Sequence, residues 1–317
     1  MSGNPCNEVH SKFDRSVSLL AWAYNEEELI GDFLDRAVAM LEQCVADWEI
    51  VLVNDCSTDR TLEIANARAA QEPRIRIISH KRNLNVGWAC RTAIKNAQND
   101  IVFWQTVDWS YDLSNLRIFL ELTKHFDVVQ GIRPTPIRLF SYIPLIRSIY
   151  RVRSRSDGLR AAVVSLANYY LLRILYGLNF HDFQNVTFYP RHLVQSLNLV
   201  GTSAFVNPEM LIKAHAGGAT FLEVPIHFIP RMAGDAKGIK SAAVLRAVKD
   251  VFLNWFRWGL QLRLHRCRNN SKTIKRVAEP FFLEDELLRI VLPLFKYFRP
   301  NAEARCEWLA PADRAGK

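Results

Sequence analysis

The chain has 317 residues, 49% of them hydrophobic and 23% charged, with a formal net charge of +9. That is enough apolar material for one large globular domain with appendages, and it excludes the disordered and collagen-like classes. A basic balance admits anionic membranes or nucleic acid as partners, but no recognised nucleic-acid module is present, so no nucleic-acid partner is expected.

In chain order, the first predicted element is an apolar strand from Val17 that ends in the polar cluster Tyr24-Asn-Glu-Glu27. A helix over 26–44 follows, with Leu29, Phe33, Leu34, Ala37, Met40 and Leu41 at three- and four-residue spacings. A second strand, Glu49 onward, ends in Asn54-Asp-Cys-Ser-Thr-Asp59, where Ser57, Thr58 and Asp59 read as caps for a helix over 59–70. A third strand over 74–80, a third helix over 85–97 and a fourth strand over 101–107 continue the alternation, and the fourth strand ends at Asp108. The predicted class is α/β, with a mainly parallel central sheet and helices on both faces. Acids and amides at the carboxyl ends of parallel strands mark the ligand crevice of such a sheet. No Gly-x-Gly-x-x-Gly and no Gly-x-x-x-x-Gly-Lys-Ser/Thr follows any strand, which argues against a dinucleotide dehydrogenase and a P-loop NTPase. A bound pyrophosphate would therefore need another partner, naturally a divalent cation held by carboxylate.

The six cysteines show no Cys-x-x-Cys pair, and none of the eight histidines pairs at metal-ligand spacing. Reduced thiols in a cytosol are the expectation. Residues 1–15 lack an apolar core, so no signal peptide is expected, and no uninterrupted apolar stretch reaches spanning length.

Tyr24-Asn-Glu-Glu27, Val53-Asn-Asp-Cys-Ser-Thr-Asp59, Asn85-Val-Gly-Trp-Ala89 and Thr106-Val-Asp108 occur in that order. Asp127-Val-Val-Gln-Gly-Ile-Arg133, Asp182-Phe-Gln184, Pro208-Glu209, Glu223-Val-Pro-Ile226 and Arg231-Met-Ala-Gly-Asp-Ala-Lys237 follow them. In this register the chain resembles a family 2 glycosyltransferase of GT-A fold over roughly residues 15–260, in the branch of dolichyl- and polyprenyl-phosphate sugar synthases. It departs from that pattern where Asn54 and Cys56 stand in place of the Asp and Gly of Asp-Asp-Gly-Ser, and where Thr106 replaces the first acid of Asp-x-Asp.

The resemblance implies a nucleotide site formed by Ala23, Tyr24, Glu26, Asp55, Gly87 and Thr106, with Asp108, Asp182 and Glu209 as the catalytic acids. It implies Mg²⁺ or Mn²⁺ at Asp108, helped by the substrate's phosphates because Mg²⁺ needs only one or two protein carboxylates. Arg133, Arg231 and Lys237 would bind an acceptor phosphate, the last two as a fork and a point charge. The bland alternatives are a turn acid at Asp55 or Asp108, a dipole partner at Glu26 and a helix-start acid at Glu209. Gln105, Thr106 and Ser110 are candidate helpers in the metal or ribose shell, and the resemblance implies that Gln184 lies with Asp182 at the floor of the active site.

The segment 246–275 carries eight basic residues interleaved with Phe252, Trp255, Phe256, Trp258 and Leu260. Such a segment either lies in a membrane interface or packs as an ordinary helix with a solvated basic face. The expected organisation is a GT-A domain over 14–265 and a tail over 266–317 with one apolar helix over 280–297. The expected activity is inverting transfer from a nucleotide-diphospho sugar to a polyprenyl phosphate, peripherally at the cytoplasmic face of a membrane. Transfer to a glycan hydroxyl, and a degenerate member that binds without turnover, are the alternatives.

Overall fold

The computed structural model describes residues 12–132, 159–226, 229, 241–264 and 274–276. An eight-stranded sheet forms the centre, in the order β3-β2-β1-β4-β6-β5-β7-β8. Its first half is parallel: β1 (Val17–Ala23), β2 (Trp48–Asn54), β3 (Ile75–Ser79) and β4 (Ile101–Trp104). β2 reads Trp-Glu-Ile-Val-Leu-Val-Asn and is buried along its whole length, the pattern of a strand covered on both sides.

Between them lie α1 (Ile30–Cys44), α2 (Thr61–Gln71) and α3 (Val86–Asn96). α1 buries Ile30, Phe33, Leu34, Ala37 and Leu41, the stripe its spacing predicts. It begins at Ile30 rather than Glu26, after a lead-in turn in which the Glu26 carbonyl accepts from the Leu29 and Ile30 N–H groups and the Glu26 N–H donates to Thr61 Oγ1 of the next crossover. The sheet's second half holds α4 (Leu116–Leu122), β5 (Val128–Ile132), α5 (Leu159–Tyr176) and β6 (Thr187–Pro190). Then come α6 (Arg191–Ser196), α7 (Val206–Ala216) and β7 (Phe221–Pro225). β6 is antiparallel to both β4 and β5, and Phe188 on it stacks on Phe103 at 4.8 Å and Phe119 at 5.3 Å, joining the two halves through one core.

α8 (Ser241–Asn254) runs through a π turn (Trp255–Gly259) into α9 (Leu260–Leu264). β8 (Ile274–Arg276) then pairs parallel with β7, so the sheet extends past residue 265 into what the sequence reading assigns to the tail. The apolar helix expected over 280–297 lies outside the described residues. No helix among the described residues is long and apolar enough to cross a membrane.

β1 is the switch point of the sheet. The chain moves outward from β1 to β2 to β3, then returns to place β4 on the other side of β1. The carboxyl ends of β1 and β4 therefore border the crevice where open α/β sheets bind ligands.

Candidate active site

Among the described residues, four non-glycine residues have positive φ: Asn25 (51°), Cys56 (62°), Asn85 (70°) and Trp109 (51°). Each sits in a loop beyond the carboxyl end of β1, β2, β3 or β4. Left-handed backbone at a residue with a Cβ is strained, and such strain gathers at binding and catalytic sites. Cys56 stands where the family pattern has glycine, so the turn keeps a glycine conformation without the glycine.

The first two loops are laced together. The Asn25 N–H donates to Ser57 Oγ at 3.0 Å, and Thr58 N–H donates to Asn25 Oδ1 at 2.8 Å. Asp59 accepts from the Thr61 N–H at 3.0 Å and the Glu27 N–H at 3.2 Å. Thus Asp59 supports the start of α2 as expected, whereas Ser57 and Thr58 tie β2's loop to β1's. Ala23 is buried in register with Asn54, Tyr24 is exposed at the rim, and Glu26 is half-buried behind it.

Asp55 is buried, and its carboxylate is a hub of protein contacts. Oδ1 accepts from the Leu84 N–H at 2.9 Å and lies 2.7 Å from His80 Nδ1, while Oδ2 accepts from the Asn85 N–H at 2.8 Å. His80 Nε2 continues the chain to Thr92 Oγ1 at 2.9 Å. Asp55 therefore holds the loop leading into α3, with both carboxylate oxygens engaged by protein groups. His80 was not singled out by sequence, although its place just past β3 is the same kind of signal.

β4 stops at Trp104, three residues short of the expected end, because Gln105 turns into its own loop: Nε2 donates to the Tyr111 carbonyl and Oε1 accepts from the Thr106 N–H. Asp108 is therefore a loop residue, half-exposed, whose Oδ1 accepts from Ser110 Oγ at 2.6 Å and from the Ser110 N–H at 3.2 Å. Thr106 Oγ1 also accepts from the Ser110 N–H. This loop reaches the other half of the sheet twice. Tyr111 Oη donates to the Gln184 carbonyl, and the Ile229 N–H donates to the Ser110 carbonyl at 2.9 Å.

Asp182 is buried beside that junction. It accepts from the Gln184 N–H at 3.0 Å and from Asn185 Nδ2, and Gln130 on β5 donates to its carbonyl. Asp108 and Asp182 thus belong to loops that Tyr111 joins. Arg133, Arg231 and Lys237 lie outside the described residues.

Glu209 occupies different ground. α7 starts at Val206, which places Glu209 inside its first turn rather than at its cap. The side chain is fully buried: Oε1 takes the Lys213 ammonium at 2.6 Å, Oε2 accepts from the Gly201 N–H at 2.7 Å, and the Val200 N–H bonds both oxygens. Burial pushes the Lys213 pKa below lysine's ordinary value, against the pull of Glu209. The next turn, Thr202-Ser203, donates two N–H groups to Asp250 Oδ2 of α8, each at 2.9 Å. Gly87, in the first turn of α3, abuts that turn; a Cβ there would stand 2.3 Å from the Thr202 carbonyl carbon. Gly87 is a close-approach glycine, which accounts for it by packing. Lys213 could have been read from its i,i+4 spacing to Glu209, and Asp250 from being the sole acid in a basic segment.

Among the described residues, no group of three His, Cys, Asp or Glu is arranged to hold a metal ion. The groups around Asp108 are a carboxylate and the Thr106 and Ser110 hydroxyls, all oxygen. That chemistry suits a hard cation which shares its coordination with diphosphate oxygens and water.

The chain is 25% identical over 280 residues to a dolichyl-phosphate β-glucosyltransferase of Trichomonas vaginalis, covering 81% of this chain and 76% of that one. It is 25% identical over 249 residues to an undecaprenyl-phosphate mannosyltransferase of Micrococcus luteus, covering 76% of this chain and 92% of the relative. Its fold matches glucosyl-3-phosphoglycerate synthase of Mycobacterium tuberculosis, solved with Mn²⁺, UDP and glucosyl-3-phosphoglycerate, with a TM-score of 0.51 at 16% identity over 76% of this chain and 80% of that one. The family description "Glycosyl transferase family 2" matches residues 18–181, more than half of the sequence. With this match and a mainly parallel α/β sheet whose polar loops lie at the strands' carboxyl ends, the chain belongs to glycosyl transferase family 2 and has the GT-A fold.

Proposed function

We propose that this glycosyltransferase moves a sugar from a nucleotide-diphospho sugar to a polyprenyl phosphate, with inversion, peripherally at the cytoplasmic face of a membrane. The observation that carries the choice of acceptor is the burial of Glu209. A hydroxyl acceptor needs a base within hydrogen-bond reach of its proton, and Glu209 is committed to Lys213 and the 200–201 turn instead. A phosphate acceptor is already ionised and needs none. The two polyprenyl-phosphate sugar transferases to which the chain is similar fit the same acceptor class.

In this reading the nucleoside lies over the ends of β1 and β2, where Tyr24 forms the rim and Asp55 keeps the loop into α3 in shape. The acceptor oxygen attacks the anomeric carbon from the side opposite the departing diphosphate. Positioning and electrostatics supply most of the rate. Asp108 would hold Mg²⁺ or Mn²⁺, and such a cation stabilises charge on the leaving diphosphate; Mn²⁺ accompanies UDP in the neighbour of known structure. Arg231 follows Ile229 by two residues, a reach of about 7 Å at most. The bond from Ile229 to Ser110 brings the chain back to the Asp108 loop two residues before Arg231, which supports an anion-binding role for Arg231.

The test is to measure released nucleoside diphosphate with a panel of sugar nucleotides, with and without polyprenyl phosphate. Release that depends on the lipid phosphate supports the proposal. Release that depends instead on a glycan hydroxyl, or nucleotide binding with no release under any condition, overturns it.

A further inference from the structure

The segment 241–264 has two apolar faces. The inner one is built into the fold: Val251, Trp258 and Leu262 are buried, Tyr176 Oη donates to the Val251 carbonyl, and Trp258 Nε1 donates to Asn254 Oδ1. A Cβ at Gly259 would fall 2.5 Å from Tyr176 Cε1, so the π turn presses directly on α5. The outer face carries Leu245, Phe252, Phe256 and Leu260, spaced by 7, 4 and 4 residues and hence on one side of the helix; Leu245 is 70% and Phe256 73% exposed. Lys249 lies in the same stripe and Arg246 and Arg257 beside it, all three exposed. The sole acid of the segment, Asp250, is turned inward to Thr202 and Ser203.

The same helix touches the donor side of the crevice. Arg246 donates to Asn85 Oδ1, and the Asn85 N–H is held by Asp55. Asp250 holds the turn against which Gly87 packs. One face of α8 therefore looks outward, while its polar edge grips two turns beside Asp55.

We propose that the outer face of α8, the π turn and α9 docks on an anionic lipid surface, and that Arg246 and Asp250 pass that docking to the turns at Asn85–Gly87 and Thr202–Ser203. Charge decides the occupant. Exposed Phe and Leu flanked by Lys and Arg, with no outward acid, fit the boundary between headgroups and acyl chains of an anionic bilayer. The link follows from the contacts: docking of the outer face fixes α8, whose polar edge carries Arg246 and Asp250, and so favours the arrangement in which both turns are held. It rests on the polyprenyl-phosphate reading only for the reason a lipid surface is near.

The experiment needs no sugar donor or acceptor, so failure of the proposed transfer would leave it interpretable. Full-length protein is mixed with vesicles of phosphatidylcholine alone or with one-third phosphatidylserine, at low and at physiological salt. Binding is read by flotation and amide hydrogen exchange is followed in both turns. Expected are flotation with the anionic vesicles, weakening as salt rises, and roughly tenfold slower exchange at 85–87 and 202–203, within the usual range of coupling between sites. The variant Phe252→Glu/Phe256→Glu, altered only at exposed positions, should lose both effects and keep its circular dichroism. Arg246→Ala should still float but lose the protection at 85–87. Equal flotation of the double variant overturns the docking face, and flotation without slowed exchange overturns the link. No flotation, with a dimer that the double variant dissolves, assigns the face to a second copy of the chain and overturns the proposal.

Discussion

Lys213 Nζ lies 2.6 Å from Glu209 Oε1, one helical turn away, with both side chains almost wholly shielded from solvent. The pair anchors α7 to the turn at Val200–Gly201, and Lys213 also donates to the Asn198 carbonyl. Removing one member of a buried pair leaves the other charge without compensation, at about 3–5 kcal/mol. Glu209→Gln should therefore lower the melting temperature strongly, and Glu209→Gln/Lys213→Met should recover much of the loss. Turnover with polyprenyl phosphate, per folded molecule, should fall only a few-fold. A folded Glu209→Gln protein whose turnover drops by orders of magnitude would make Glu209 a base and the acceptor a hydroxyl.

Asp108→Asn removes the carboxylate from Thr106-Val107-Asp108 while keeping an oxygen that accepts from Ser110. The fold should be unchanged, metal-dependent nucleotide binding weaker and transfer lost. Calorimetric titration of nucleoside diphosphates with Mn²⁺, beside turnover, checks this. Unchanged metal dependence would remove Asp108 from the cation's surroundings.

Arg231→Ala and Lys237→Ala each delete a charge-assisted hydrogen bond of roughly 1.5–3 kcal/mol if they grip the acceptor phosphate. The apparent KM for polyprenyl phosphate should then rise about tenfold or more, with that for the sugar nucleotide nearly constant. A rise confined to the sugar nucleotide would move these residues to the donor's diphosphate.

Burial raises the pKa of the Cys90 thiol and of the Tyr176 hydroxyl well above their ordinary values of 9.0 and 10.0. A group held protonated in the fold contributes stability that is complete below its unfolded pKa and is lost as pH rises toward the folded one. Melting temperature should thus decline above pH 9.0, where the unfolded thiol begins to ionise. Lys213 opposes this, since its lowered pKa makes stability rise with pH up to the ordinary lysine value. Cys90→Ala should flatten the decline across pH 8–10 whatever its effect at neutral pH; an unaltered slope would mean the thiol does not carry it.

Cys56 holds a φ of 62° in the turn after β2. Left-handed backbone costs an L residue about 1–2 kcal/mol, of which the extra chain entropy of glycine offsets about 0.5–1. Cys56→Gly should be neutral to stabilising, and Cys56→Val destabilising, because a β-branched side chain adds crowding at positive φ beyond the cost that cysteine already bears. Thermal melting decides; equal losses in both variants would point to the thiol rather than the backbone.

What the sequence determined by itself was the alternation of strands and helices and the position of the crevice. Apolar periods of two and of about 3.6 are written in neighbouring residues, and polar clusters at strand ends follow the same local grammar. The places of Tyr24 and Asp55 just beyond the ends of β1 and β2 were legible for that reason. The end of β4 was not, because the Gln105 side chain takes the Thr106 N–H and bonds the Tyr111 carbonyl, a loop conformation that folding supplies. The tertiary structure decided that Glu209 is desolvated against Lys213, that Asp55 is bound by His80 and the Leu84 and Asn85 amides, and that Gly87 is pressed against Thr202. It also divided the basic aromatic segment between a packed face and an exposed one, with Val251 and Trp258 inside and Phe252 and Phe256 outside. The physical reason is that solvation and hydrogen bonding of a side chain depend on segments distant in sequence, here α5, the 200–203 turn and α8, and no local period records which of them arrives.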